Sequence, residues 1–201
     1  NGAGKTTAIR ILAGLARADG GRAWVGGVQV AATPRQRHKV ANLIGYLPRD
    51  PTFYAWMSGH EFLDYVGRVF GLTARERQTR TQELLELVGL TDAAKRRIGT
   101  YSGGMSQRLG IAQALVNQPS VLFLDEPVSS LDPSGRKELL DLVDQLRHKC
   151  TVFMSTHILA DVERVCDSVG IIHHGKLITF APQDELLERY AVPAFEVETE
   201  A

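Results

Sequence analysis

Three short segments combine residue types and spacings that suit phosphate chemistry. The first is Asn1-Gly2-Ala3-Gly4-Lys5-Thr6-Thr7, which supplies the last positions of the phosphate-loop pattern G-x-x-x-x-G-K-[ST]. The pattern's first Gly falls before Asn1. Glycines let backbone N–H groups curl around phosphate oxygens, and a following helix presents its positive end to them. In such a loop Lys5 reaches the β- and γ-phosphates and the Thr6 hydroxyl ligates Mg²⁺. Taken alone, a Gly-rich turn ahead of a helix is also an ordinary turn. The second segment is Val121-Leu122-Phe123-Leu124-Asp125-Glu126-Pro127. Four apolar residues make a strand buried on both faces. Two carboxylates follow at its C-terminal end, where open α/β sheets bind ligands. Asp125 can hold Mg²⁺ there, and Glu126 can accept a proton from an attacking water. Consecutive strand residues point to opposite sides, so the two acids need not share a task. The third segment is Tyr101-Ser102-Gly103-Gly104-Met105-Ser106-Gln107-Arg108. Ser102 is a candidate N-cap, and Gly103-Gly104 leaves backbone amides bare, a second anion site at a helix start. Simple capping is the plainer reading of that segment.

The elements that must position these residues fall into three textures. Residues 5–16 read as a helix after the Gly-rich turn, closed by Gly20-Gly21, and residues 22–30 as two short strands around Gly26-Gly27. Leu43 to Leu47 reads as a buried strand stopped by Pro48. From Ser58 the pattern turns helical. Ser58 and Glu61 form a capping box, Phe62, Leu63, Val66, Val69 and Phe70 recur at helical spacing, and a second helix runs from about Ala74 to Val88. Met105, Leu109, Ala112 and Val116 mark the helix after the third segment. Strands and helices then alternate. Strands are expected at 120–125, 151–155, 169–173 and 176–180, with helices around Leu139–Leu146, through Val165 and at Gln183–Tyr190, and a last strand at Phe195–Glu198. The expected fold is α/β: a mainly parallel sheet with helices on both faces, a small antiparallel portion and a helical subdomain inserted over roughly 50–118. Trp24 and Tyr46 are read as core aromatics, and His173-His174 as a polar turn.

Composition bounds the function. The 201 residues, 44 % hydrophobic and 23 % charged, suit one globular domain or one with an insertion. The longest apolar runs are a few residues, whereas a membrane-spanning helix needs ~20. With 23 basic and 23 acidic residues the net charge is zero, so no nucleic-acid partner is expected. Cys150 and Cys166 make no disulfide framework and read as reduced thiols. The sequence opens inside a motif without an initiator Met, which reads as a chain cut within its phosphate loop.

Across essentially its whole length the chain resembles the nucleotide-binding subunits of ATP-binding cassette (ABC) transporters, with the motifs in the family's order. Asn1–Thr7 matches the end of Walker A, Tyr101–Met105 the signature L-S-G-G-Q, and Val121–Glu126 Walker B with its catalytic Glu. Ser130-Leu131-Asp132 is similar to the D-loop and Ser155-Thr156-His157 to the switch-histidine segment. The resemblance implies a RecA-like P-loop NTPase fold and hydrolysis of ATP with Mg²⁺. It implies a phosphate loop of Asn1, Gly2, Ala3, Gly4, Lys5, Thr6 and Thr7, with Thr6 and Asp125 on the metal and Glu126 and His157 as the catalytic pair. It further implies a head-to-tail dimer in which Ser102, Gly103 and Gly104 serve the partner's ATP and Asp132 lies at the interface. The remaining partner is a separate transmembrane permease, which would place the subunit peripherally on the cytoplasmic face of the membrane. The wording around Ser155–Asp167 is most like bacterial export ATPases. Two positions depart from the family: the Q-loop Gln is Arg49 and the signature's Gln is Met105. A guanidinium has no acceptor with which to ligate a cation, so the Gln's usual role does not transfer. Two other readings stay open: a soluble ABC-type switch in translation or DNA repair, and a degenerate cassette that only binds ATP.

Overall fold

The computed structural model describes residues 2–30 and 33–190; Asn1 and the strand expected at Phe195–Glu198 lie outside them. Helix α1 (Lys5–Leu12) is followed by the paired strands β1 (Trp24–Val25) and β2 (Val28–Gln29), helix α2 (Pro34–Leu43) and strand β3 (Ile44–Leu47). Then come α3 (Gly59–Val69), α4 (Ala74–Leu87) and α5 (Gly103–Ala114). After β4 (Val121–Asp125), α6 (Pro133–Arg147), β5 (Thr151–Ser155) and α7 (Leu159–Val165), the hairpin β6 (Ser168–His173) and β7 (Lys176–Pro182) leads into α8 (Gln183–Tyr190).

Alternation of side chains along β4 explains the layers. The strand lies between β3 and β5 and pairs with both in parallel. Leu122 and Leu124 enter one core with Leu109 and Ile111 of α5, Leu115 that caps it, and Leu139, Leu142 and Leu146 of α6. Val121 and Phe123 face the other way, against Ile9 of α1 and Val40 of α2. Both faces of the strand are therefore covered, which selects the run of large apolar residues. Gly45 on β3 allows the end of α5 to close on the sheet: a Cβ there would lie 2.0 Å from the Ala114 carbonyl oxygen.

The three helices between β3 and β4 begin with local signals. Ser58 and Thr73 each accept a hydrogen bond from the backbone N–H three residues on, while the Glu61 and Glu76 carboxylates accept from the N–H and hydroxyl of the cap residue. Those hydrogen bonds hold both glutamates below the usual carboxylate range, for Glu61 chiefly the one from the Ser58 N–H and for Glu76 the one from the Thr73 hydroxyl. Asp64 of α3 bridges to Arg77 of α4 at 2.7 Å and to Arg68 at 2.9 Å.

Several expectations need correction. The first helix stops at Leu12, not 16, because Gly14 takes a left-handed φ of 73°. Trp24 is 56 % exposed. Its two-residue strand buries only Val25, so the neighbouring ring is turned outward. Helix α2 was not anticipated, although Thr33 caps it and Pro34 occupies its first turn. Tyr46 is half-buried against the α1 side, as expected, and burial followed by the Asp125 carboxylate pushes its phenol above the usual value.

Candidate functional site

The loop before α1 takes its shape from two glycines. Gly2 and Gly4 have φ of 88° and 101°, a region that side chains with a Cβ rarely enter. Gly4 is the N-cap and makes no side-chain cap bond, and the first turn holds no acidic residue. The opening N–H groups of α1 therefore have no intrahelical acceptor and carry the positive end of the helix. The β6–β7 turn braces this loop from behind: the Gly175 N–H donates to the Ala3 carbonyl at 2.9 Å. His174, in the left-handed region, and Gly175 form that turn, and His173 ends β6 with its ring centroid 4.2 Å from that of His174. Sequence reasoning found the turn but not its contact with the loop.

Thr6 on α1 meets the end of β4. Its hydroxyl donates to Asp125 Oδ1 at 3.1 Å, and the Ser155 hydroxyl donates to the same oxygen at 2.7 Å. Asp125 is buried. A hydroxyl and a carboxylate side by side are hard oxygen donors that suit Mg²⁺. Ser155 stands there because β4 and β5 pair in parallel with Asp125 opposite it. It is a site residue that the sequence reading passed over, and its signal was its place one strand-end further along.

Glu126 does not continue the strand. Its φ of 47° turns the chain, and its N–H donates to Ser155 Oγ at 3.0 Å and to the Ser155 carbonyl at 3.1 Å. Its side chain is only 6 % exposed, yet three cationic or potentially cationic groups surround it. Lys5 Nζ lies 3.7 Å from Oε1; Arg49 Nη1 and His157 Nδ1 lie 3.5 and 3.4 Å from Oε2. Oε2 itself is buried and accepts no hydrogen bond. An unpaired buried oxygen is costly, and here it faces the groups that could position a water or a phosphate. Residues from the phosphate loop, the end of β3, the end of β4 and the loop after β5 thus meet within one cluster.

The His157 loop has its own support. The Thr156 hydroxyl accepts from the Ile158 N–H and donates to Asp161, which is fully buried and bridged to Arg136 of α6 at 2.6 Å. Asp132 is exposed and caps α6 without a side-chain bond. The third segment forms as expected: Ser102 accepts from the Met105 N–H, and Gly103 opens α5. Ser102 and Gly103 are exposed, and no described hydrogen bond or ion pair joins them to the Lys5–Glu126 cluster. One link does run from α5 to the site. Buried Gln107 donates to the Arg49 carbonyl at 2.7 Å. The two cysteines are unpaired thiols, each pushed above its usual value chiefly by burial.

A phosphate loop, a parallel sheet covered on both faces and an acidic strand end define a P-loop NTPase fold. The family model described as "ABC transporter" matches residues 1–129, and the chain belongs to that family. It is 46 % identical over 195 residues to YxlF of Bacillus subtilis (strain 168), an uncharacterised ABC transporter ATP-binding protein, covering 97 % of the chain and 63 % of that protein. It is 38 % identical to the linearmycin resistance ATP-binding protein LnrL of the same organism, covering 94 % of the chain and 60 % of LnrL. The chain thus spans less than two thirds of these relatives. Among solved structures, CbiO1 of Clostridium perfringens, part of the ABC transporter complex CbiONQ, superposes with a TM-score of 0.85 at 26 % identity, over 94 % of this chain and 76 % of that one.

Proposed function

We propose that this chain is the ATP-hydrolysing part of an ABC transporter and works as a head-to-tail dimer. The observation that carries this reading is the convergence of Lys5 and His157 on buried Glu126 beside the Thr6–Asp125 pair. Backbone amides at Gly2–Thr7 cradle the phosphates, and Lys5 binds the β- and γ-oxygens. Thr6 and Asp125 would hold Mg²⁺, which would supply positive charge beside the phosphates. Glu126 accepts the proton of the attacking water through its unpaired Oε2, and His157 orients that water against the γ-phosphate. Ser102, Gly103 and Gly104 offer backbone amides at the start of α5; they complete the site of a second copy, with Asp132 at the same interface. Expected ligands are therefore ATP and Mg²⁺.

The membrane partner docks on a separate surface. Tyr54, Trp56 and Tyr65 form an exposed aromatic patch with ring centroids 6.0 Å apart, flanked by Val69 and Phe70. It lies just beyond Arg49 in sequence. Among the described residues no helix is long and apolar enough to cross a membrane. A permease subunit supplies the spans and holds this chain on the cytoplasmic face. Likeness to a resistance protein supports export as the direction.

The dimer is testable. In the whole protein, Glu126→Gln with ATP and Mg²⁺ should double the mass seen by light scattering, and ADP should not. A strict monomer at high protein concentration with ATP would contradict the composite site.

A further inference from the structure

We propose that Arg49 is a latch on Glu126 that the γ-phosphate releases: its guanidinium masks the carboxylate when no triphosphate is bound and moves to the γ-phosphate when one is. The proposal rests on the nucleotide site described above and adds to it a residue that reads the third phosphate.

Four features support the latch. Arg49 Nη1 is 3.5 Å from Glu126 Oε2, yet that oxygen accepts no hydrogen bond. The guanidinium is held by charge alone at a distance, and not by a bidentate fork. Second, its side chain is 47 % exposed, so the head can swing without unpacking a core. Third, the backbone beneath it is pinned, because buried Gln107 donates to the Arg49 carbonyl at 2.7 Å. The side chain pivots on a fixed root. Fourth, Lys5 leans on the other Glu126 oxygen, Oε1, at 3.7 Å. Arg49 and Lys5, the latter in the phosphate loop, therefore share one carboxylate through different oxygens.

Charge decides which anion holds Arg49. A guanidinium pairs with phosphate oxygens through two parallel N–H bonds, a geometry Glu126 does not offer here. A terminal phosphate within reach of Lys5 competes for both cations and leaves Oε2 open to water. ADP lacks that group, so Arg49 stays on Glu126 and the base stays masked. Because Gln107 belongs to α5, the root of Arg49 is tied to the helix that begins at Gly103.

Calorimetric titration of the whole protein with Mg²⁺ and either a non-hydrolysable ATP analogue or ADP tests this. Arg49→Ala and Arg49→Gln should weaken the analogue about tenfold or more, the loss of a charge-assisted contact. ADP affinity should stay within about twofold, and Arg49→Lys should recover part of the loss. Glu126→Gln should tighten the analogue when Arg49 is present and leave it unchanged in the Arg49→Ala background. Equal losses for both nucleotides, or no loss for either, overturn the latch alone. A wild-type protein that binds neither nucleotide overturns the nucleotide site and the latch with it.

Discussion

Lys5 and Glu126 lie far apart in the sequence, and their side chains come within 3.7 Å. At that distance the ammonium and the carboxylate offset each other's charge. Nucleotide binding must exchange that contact for a phosphate contact, so Lys5 is the residue whose loss is felt first in affinity. Lys5→Ala should weaken ATP binding by about tenfold or more in a calorimetric titration; unchanged affinity would count against the phosphate-loop assignment. Lys5, Thr6, Asp125, Glu126 and His157 were each named from the sequence by their offset from a glycine turn or a strand end, and the structure brings their side chains together. Ser155 was not so named. Its role depends on standing opposite Asp125 across β4 and β5, a register that no local pattern states. The left-handed turn at Glu126 was equally hidden: a strand expected to end at residue 125 says nothing of the φ of 47° that follows it.

At the scale of elements, legibility followed the range of the signal. The capping boxes at Ser58 and Thr73 are i to i+3 patterns, and α3 and α4 begin one residue after them. Trp24 failed because burial of a two-residue strand is set by what packs on it, not by its own residues. The Asp64–Arg77 bridge between α3 and α4 is also non-local, and it makes a pH prediction. The hydrogen bond from Arg77 outweighs a smaller burial effect and holds the Asp64 carboxyl below its ordinary value of 3.8. A carboxylate depressed on folding stabilises fully above its unfolded value and loses that contribution as pH falls through the folded one. Wild-type protein should therefore lose thermal stability below about pH 4 more steeply than Asp64→Asn. Parallel melting curves for the two proteins over the acid range would contradict the bridge's contribution.

For the whole molecule, the two anion sites tell different stories. The phosphate loop is completed by residues of its own chain, braced by the β6–β7 turn behind and met by Glu126 and His157 in front. Ser102 and Gly103, at the start of α5, are exposed and make no described hydrogen bond to the Lys5–Glu126 cluster. A head-to-tail pair gives each copy's Ser102–Gly104 segment a use, and the aromatic patch around Trp56 remains free for a membrane subunit. All of this presumes that the cluster around Glu126 hydrolyses ATP. Phosphate release by the whole protein under saturating ATP and Mg²⁺ is the direct measurement. Glu126→Gln should lower it by about a hundredfold or more while ATP binding persists, as removal of a general base requires. Wild-type turnover in that variant would contradict the account.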